Sequence, residues 1–437
     1  MNTPICDFVT RYAATAPLRL HMPGHKGIGR TESLDITEIP GADSLYEVNG
    51  ILAESEKNAS EIFGHPTLYS TEGSSLALRA MLYLACLWAK ERGKRAVIAA
   101  GRNAHKVFSS AAALLDFEVR WLYGAELLSC RLTPEDLEKA LADGDVTAVY
   151  VTAPDYLGNC PDLGPLAEVC HRHGALFLVD CAHGAYLKFL TPSRHPMDLG
   201  ADLCCASAHK TLPVLTGGAY LHISEAHKSL INQAKSALSL FGSTSPSYLI
   251  LQSLDQANRI LSEGYGEALA RSAAAVDRLK ESLSARGFAL VGDEPMKLTL
   301  APKSYGYFGF ELADYLAEKQ IICEFADRDY CVMMFAGAGT ASAADRVAEA
   351  LSDLPKRPAI SELPPEPVAH EAVLSIREAA LAPAEILPVE QCVGRVLAAP
   401  SVACPPAGPI LVCGERIPPA DAAAFAYYGV ESLSVVR

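Results

Sequence analysis

The chain has 437 residues, of which 50% are hydrophobic and 20% charged, as in ordinary globular proteins. Its formal net charge of −14 disfavours nonspecific binding to nucleic acid or anionic membranes, and no stretch approaches the roughly 18 apolar residues of a membrane helix. The first twenty residues lack a signal-peptide pattern, and the 13 cysteines are odd in number without metal-type spacing. We therefore expect a cytoplasmic protein of two or three domains that binds no nucleic acid, membrane or metal.

Short apolar runs alternate with helical patterns in the first half of the chain. Continuous apolar runs separated by helices are typical of a mostly parallel sheet that is covered on both faces. The fold class predicted from this pattern is α/β. The predicted strands are 96–101, 146–154, 175–183, 202–209 and 217–223, and the predicted helices between them are 109–117 and 163–174.

The second half of the chain changes pattern three times. Residues 225–285 have helical periodicity, and a smaller α/β pattern follows up to about residue 353. A Pro-rich stretch at 355–368 indicates a linker, and the tail is helix-like and then broken. The predicted domains are an N-terminal arm and linker (1–60), a large domain (61–290), a small α/β domain (291–360), and a linker with a C-terminal domain (361–437).

Four polar motifs fall at predicted strand ends or helix starts. They are TEGSS (71–75), RNAHK (102–106), DCAHG (180–184) and SAHKT (207–211). Ligands of parallel sheets bind at the carboxyl ends of the strands, so these motifs are expected to converge on one site.

Asp180 and Lys210 form the most informative pair. Taken singly, Asp180 could be a strand-end carboxylate that caps a turn, and Lys210 a solvated loop lysine. Together they match the needs of pyridoxal 5'-phosphate, with the lysine binding the cofactor covalently and the aspartate facing its pyridine nitrogen. His105 could lie flat over the ring, although it could equally be a surface histidine at a strand end.

The phosphate of such a cofactor needs an anion site. Gly73, Ser74 and Ser75 open a predicted helix, and a glycine with two hydroxyls at a helix N-terminus suits a phosphate. A serine at a helix start is also an ordinary N-cap, so the motif alone is weak. Ser207 and His209 flank Lys210 and could reach the same phosphate.

Several longer motifs resemble, in order, those of the bacterial Orn/Lys/Arg decarboxylases. The resemblance covers nearly the whole chain and implies the fold type I of pyridoxal-phosphate enzymes, with a large domain built on a seven-stranded sheet. It also implies the short form of the family, without the N-terminal wing domain. The motifs are PLRLHMPGHKG (17–27), DITEIPGADSLYEVNGIL (35–52), SAHKTLPVLTGGAYLH (207–222), STSPSYLILQSLD (243–255) and the tail at 375–417.

The resemblance implies a role for each matching residue. It makes Lys210, Asp180, His105 and His209 the catalytic residues and places Thr244 in the active site of a neighbouring subunit, although Thr244 could also be a helix cap. The partners implied are a small amino-acid substrate and a second subunit, in a homodimer or a higher even oligomer. The cofactor-binding residues are Lys210, Asp180, His105, Gly73, Ser74, Ser75, Ala182, Ser207, His209 and Thr244.

The chain departs from the family pattern at a few positions. Glu72 stands in the phosphate-side loop, and Gly217 stands where a glutamine is common. Cys404 and Cys413 replace an aromatic residue and a proline in the tail. The substrate side is therefore less certain than the cofactor side, and Glu415 is one candidate for binding a basic substrate, with a surface carboxylate as the alternative.

The expected reaction is the decarboxylation of a basic amino acid, with arginine favoured over lysine and ornithine, for polyamine synthesis. Lys210 or His209 could supply the proton that replaces CO2. The first alternative is a related lyase or aminotransferase with a different amino-acid substrate. The second alternative is a non-catalytic regulatory paralogue, which the intact Lys210 and Asp180 disfavour.

Overall fold

The computed structural model describes residues 1–29, 31–123, 130–337, 339–366, 368–404 and 408–437. They divide into two compact units, and each unit is built from two stretches of the chain. The first unit contains Met1–Arg95 and Cys170–Leu269, and the second contains Ala96–Val169 and Ala270–Arg437.

The described residues form the following α-helices and β-strands. The helices are α1 (Pro4–Ala14), α2 (Ile51–Phe63), α3 (Gly73–Glu91), α4 (Lys106–Leu115), α5 (Pro134–Leu141), α6 (Leu163–Arg172), α7 (Ala208–Thr211), α8 (Lys228–Ser239), α9 (Tyr248–Ser262), α10 (Tyr265–Ala285), α11 (Gly309–Glu318), α12 (Thr340–Ser352), α13 (Ile376–Leu381) and α14 (Asp421–Tyr428). The strands are β1 (Thr67–Ser70), β2 (Val97–Gly101), β3 (Glu118–Leu122), β4 (Ala148–Thr152), β5 (Leu176–Asp180), β6 (Leu203–Ala206), β7 (Ala219–Ile223), β8 (Ala289–Val291), β9 (Lys297–Ala301), β10 (Phe325–Ala326), β11 (Cys331–Met334), β12 (Ala384–Pro388), β13 (Ser401–Cys404), β14 (Gly408–Val412) and β15 (Ser432–Val436).

The main sheet has seven strands in the order β1-β7-β6-β5-β4-β2-β3 and is mostly parallel. Strand β7 is the exception, because it pairs antiparallel with both β1 and β6. A four-stranded antiparallel sheet has the order β10-β11-β9-β8, and two further pairs, β12-β15 and β13-β14, lie near the C-terminus. The α/β fold class and the mostly parallel seven-stranded sheet expected from the sequence are confirmed.

The central strands of the main sheet are mostly apolar because side chains on both of their faces are buried. Every residue of β2, β5, β6 and β7 is buried, which explains why they appear in the sequence as continuous apolar runs. The polar side chains of two of the predicted motifs lie at the ends of these strands. Asp180 is the last residue of β5, and Ser207 directly follows β6.

Helix α3 of the first unit has one face that is completely buried. Ten of its nineteen residues are buried, from Leu76 through Ala89. Its N-terminus begins at Gly73, whose φ of +72° is in the left-handed region that glycine adopts without a steric penalty. The helix therefore starts at a sharp turn directly after β1.

The C-terminal part of the second unit has its own apolar core. Leu397, Leu411, Ile417, Phe425 and Val435 pack together in it, with further residues of the β12-β15 and β13-β14 regions. The sequence pattern had suggested a broken helix for this tail. The structure has the six-residue helix α13, and the chain then forms paired strands.

The other predicted elements agree in type with the observed ones. The five predicted strands correspond to β2, β4, β5, β6 and β7, and residues 225–285 form α8, α9 and α10. Helix α4 begins at Lys106, three residues before the predicted start, because His105 accepts a hydrogen bond from the backbone amide of Val107 and caps the helix. The boundaries of the four predicted domains stay a prediction.

None of the described helices combines the length and the apolar composition needed to cross a lipid bilayer.

Candidate active site

Lys210 lies in the short helix α7, which follows β6 in the first unit. Its Nζ is 2.9 Å from Nε2 of His183, a residue of the loop after β5. Lys210 is exposed in the chain, whereas His183 is buried. The amine is therefore reachable by a small molecule and is in contact with a group that can exchange a proton with it.

Asp180 ends β5 and is only 3% exposed. Its Oδ1 accepts a hydrogen bond from the backbone amide of Ala182 at 3.1 Å and from the thiol of Cys205 at 3.6 Å. Cys205 is the residue of β6 that pairs with Asp180, so the strand register sets this contact. Burial, and to a smaller extent the charge of Asp180, raises the pKa of the Cys205 thiol. The thiol therefore stays protonated and can act as a hydrogen-bond donor.

Two hydroxyls meet at the N-terminus of α3. Ser207 Oγ donates to Ser74 Oγ at 2.8 Å, and Ser75 lies in the same first turn of α3. The N-terminus of a helix of this length favours an anion, because its free backbone amides and its dipole both point outward. These serines therefore form a suitable site for a phosphate.

The turn that carries Lys210 is held against the loop that precedes β7. The backbone amide of His209 donates to the carbonyl oxygen of Gly218 at 3.1 Å, and its Nδ1 lies 3.0 Å from the same oxygen. Gly73 donates through its amide to the carbonyl oxygen of Gly217 at 2.7 Å. The TEGSS and SAHKT motifs are thus brought together, as their strand-end positions suggested.

Gly217, a departure from the family pattern, has a physical explanation. Its φ is +102°, and a Cβ at this position would lie 2.8 Å from the carbonyl oxygen of Thr71 and 2.9 Å from Cδ1 of Ile250. Both distances are shorter than real Cβ contacts allow. Only glycine fits this loop conformation, so the glutamine that is common in the family has no room here.

Glu72 and Thr244 belong to neighbouring loops. Glu72 precedes α3, and its Oε1 accepts a hydrogen bond from the backbone amide of Ser243 at 2.6 Å. The Glu72 side chain therefore holds the STSPS loop and is not aimed at the serine hydroxyls. Thr244 is exposed at the tip of that loop. Its predicted use by a neighbouring subunit stays a prediction.

The other two predicted groups belong to the second unit. His105 is exposed at the start of α4, where it caps the helix, and its predicted stacking on the cofactor stays a prediction. Glu415 is 2% exposed and receives two hydrogen bonds of 2.7 Å from the guanidinium of Arg102. The suggestion that Glu415 binds a basic substrate is wrong for this geometry, because Arg102 already neutralises both carboxylate oxygens.

Cys404 and Cys413 were the remaining departures. Cys413 is buried, and its thiol donates to the carbonyl oxygen of Ala398 at 3.2 Å, so it is part of the core of the second unit. Residues 405–407, next to Cys404, lie outside the described residues.

Sequence reasoning missed two members of the site. His183 lies inside the quoted DCAHG motif, three residues after Asp180, but nothing in its spacing showed that it would reach an amine 27 positions later. Cys205 looked like a core residue of an apolar run. The parallel pairing of β5 with β6 was the signal that could have identified it, because the pairing places residue 205 beside residue 180.

The residues of the first unit fit pyridoxal phosphate. An accessible amine, a buried strand-end carboxylate and paired hydroxyls at a helix N-terminus are the groups that hold it. The start of α3 has the necessary room, because no atom lies within 4 Å of the position that a Cβ of Gly73 would occupy. Lys210 would hold the aldehyde carbon, Asp180 the pyridine nitrogen, and Ser74, Ser75 and Ser207 the phosphate.

Comparisons with known proteins agree with this reading. Residues 3–289 match the family model described as Orn/Lys/Arg decarboxylase, major domain. The arginine decarboxylases of Halalkalibacterium halodurans and Bacillus subtilis are 30% and 29% identical to the chain, each over 95% of it and 91% of the relative. The lysine decarboxylase of Francisella novicida has the same fold, with a TM-score of 0.81 at 15% identity, over 100% of this chain and 81% of that one.

The match to the family model covers well over half of the chain, and the two arginine decarboxylases extend the likeness to almost all of it. The chain therefore belongs to the Orn/Lys/Arg decarboxylase family and is a pyridoxal-phosphate-dependent decarboxylase of basic amino acids.

Proposed function

We propose that this decarboxylase acts on arginine in preference to lysine and ornithine, and that its amine product feeds polyamine synthesis. The observation that carries the chemistry is the placement of Lys210, Asp180 and the Ser74–Ser207 hydroxyl pair within one compact unit. The arginine preference is supported by the similarity to two arginine decarboxylases over 95% of the chain.

Asp180 contributes a negative charge that water does not screen. It is nearly fully buried, and its Oδ1 is oriented by a backbone amide and a thiol. A carboxylate in such a position keeps a facing pyridine nitrogen protonated. When bound, pyridoxal phosphate supplies an electron sink for the electrons that the departing carboxylate leaves behind.

Lys210 and His183 are the groups best placed to move a proton. The two nitrogens at 2.9 Å share one hydrogen bond, so a proton can pass between them. His209 is less suitable, because its Nδ1 faces the carbonyl oxygen of Gly218 and must carry a hydrogen there. In the neutral tautomer its Nε2 is then an acceptor. We assign the proton that replaces CO2 to the Lys210–His183 pair.

The alternative of an aminotransferase is tested by the product. The experiment incubates the holoenzyme with carboxyl-labelled arginine, lysine and ornithine and measures labelled CO2 and amine. We expect equal amounts of CO2 and agmatine from arginine, with a kcat/KM at least tenfold above those for lysine and ornithine. A keto acid without CO2 would establish transamination, and a higher kcat/KM for lysine or ornithine would overturn the arginine preference.

We also propose an obligate homodimer located in the cytoplasm. The exposed loop that carries Thr244 supports shared active sites, since it is free to contact another subunit. The twelve cysteines whose side chains the structure describes are all free thiols, which agrees with a reducing compartment.

A further inference from the structure

Two cysteines of the second unit lie in direct contact, outside the site described above. Cys331 opens β11 and is fully buried, and Cys323 precedes β10 and is only partly buried. The thiol of Cys331 donates to the sulfur of Cys323, with 3.4 Å between the two sulfur atoms. A modest side-chain movement would bring the sulfur atoms to the roughly 2.05 Å of a disulfide bond.

The two thiols are chemically unequal. The hydrogen bond from Cys331 lowers the pKa of Cys323, because it stabilises a negative charge on that sulfur. The same contact, together with burial, raises the pKa of Cys331. Cys323 is therefore the nucleophile of the pair and Cys331 holds the proton.

A surface cavity opens at Cys323, the nucleophile of the pair. Its volume is about 400 Å³, and Met333, Phe335 and Arg346 line it beside Cys323. Ile322, the residue before Cys323, is 83% exposed. A small hydrophobic or polar oxidant can thus reach Cys323, while Cys331 is accessible only through it.

We propose that Cys323 and Cys331 form an oxidisable dithiol that reduces hydroperoxides. The Cys323 thiolate attacks the O–O bond of the hydroperoxide, which releases the alcohol, or water from hydrogen peroxide, and leaves a sulfenic acid on Cys323. The Cys331 sulfur then attacks the Cys323 sulfur and expels hydroxide, which leaves as water with the Cys331 proton. Two thiols and one hydroperoxide thereby become one disulfide, one alcohol and one water.

Other cysteines provide an internal comparison. Cys204 and Cys205 are fully buried, and burial raises the pKa of both. Cys86 is partly buried on α3, and burial raises its pKa to about 12. None of these three combines access with a stabilised thiolate, so they should react with peroxide much more slowly than Cys323.

Trypsin makes the test direct, because Arg328 lies between the two cysteines and separates them into peptides 320–328 and 329–346. The reduced holoenzyme is treated with one equivalent of hydrogen peroxide or cumene hydroperoxide, alkylated and digested without reductant. We expect the two peptides to appear as one linked species, two hydrogen masses below their sum. Separate, fully alkylated peptides, or oxidation of Cys86 as fast as Cys323, would overturn the proposal.

Variants separate the two roles. Cys331→Ala should accumulate a sulfenic acid on Cys323 that dimedone traps, and Cys323→Ser should abolish rapid peroxide consumption, whereas Cys86→Ser should behave as the unmodified protein. A second measurement needs no substitution: a trivalent arsenical, which bridges two close thiols, should protect both peptides from alkylation. Absence of this protection would show that the two sulfur atoms are not close enough to act together.

Discussion

Asp180 illustrates how two hydrogen-bond donors can position one carboxylate at the end of a strand. The Ala182 amide and the Cys205 thiol both donate to Oδ1, so an asparagine at this position can keep both hydrogen bonds through its own Oδ1. What asparagine lacks is the negative charge. The Asp180→Asn variant therefore removes the charge with little change in shape.

We expect Asp180→Asn to lower kcat at least about a hundredfold, since a loss of roughly 3 kcal/mol of transition-state stabilisation has that effect. Steady-state decarboxylation rates measure it. The matched control is Cys205→Ala, which removes one hydrogen bond to the same oxygen but leaves the charge, and should cost less than tenfold. A near-normal rate for Asp180→Asn would make Asp180 a structural residue.

At the residue scale the sequence was informative about residue types and less so about their partners. Asp180, Lys210 and the serines were recognisable because they follow apolar strands. Glu415 was misassigned because its partner, Arg102, lies 313 positions away and only folding reveals the ion pair. His183 was missed for the same reason, since a contact between two loops leaves no periodic trace in the sequence.

The turn between β10 and β11 contains a buried carboxylate whose charge opposes folding. Asp327 is 7% exposed, and burial raises its pKa from 3.8 to about 6, although the backbone amides of Asp329 and Tyr330 donate to its Oδ1. The pKa of Asp327 in the folded protein is above that of the unfolded chain, so protonated Asp327 adds to the free energy of unfolding. This contribution is fully present below about pH 3.8 and is lost as the pH rises through about 6.

Asp327→Asn should therefore raise the free energy of unfolding near pH 8 by about 1–3 kcal/mol. The asparagine Oδ1 can still accept both amide hydrogen bonds, and the uncharged side chain avoids the cost of a buried charge. The advantage over the unmodified protein should disappear below about pH 4. Thermal melts from pH 4 to 8 measure it, with the exposed Asp314→Asn as control. Equal melting temperatures at pH 8 would contradict the assignment.

At the element scale the types of the central strands and helices followed from the sequence, because buried strands have continuous apolar runs and amphipathic helices have a 3.6-residue period. The relative directions of the strands did not follow from the sequence. Strand β7 is as apolar as its neighbours, and nothing in AYLHI indicates that it runs antiparallel to β6. Strand β3 has only partly buried residues and gave no clear apolar run.

At the scale of the whole molecule, each compact unit is built from two separate stretches of the chain, which a linear reading of domains does not reveal. The cofactor-binding residues proposed here, except His105, all belong to the first unit. Thr244 is exposed on that unit, so its predicted contribution to a neighbouring site depends on assembly.

Shared active sites predict complementation between two inactive variants. Lys210→Ala and a Thr244→Glu variant that is inactive alone are mixed under conditions of proven subunit exchange. Each heterodimer would contain one site with both Lys210 and Thr244 intact, so we expect recovery of up to about a quarter of normal activity in a two-fold symmetric dimer. Absence of recovery would show that Thr244 serves only its own subunit.

The central claim is that Lys210 is the amine that binds pyridoxal phosphate. The most direct measurement treats the holoenzyme with borohydride, digests it and locates the modified lysine by mass spectrometry. The account predicts a single cofactor adduct on Lys210, loss of the visible absorption band, and no adduct in Lys210→Ala, whose turnover should fall by several orders of magnitude. An adduct on a different lysine, or unchanged turnover in Lys210→Ala, would contradict it.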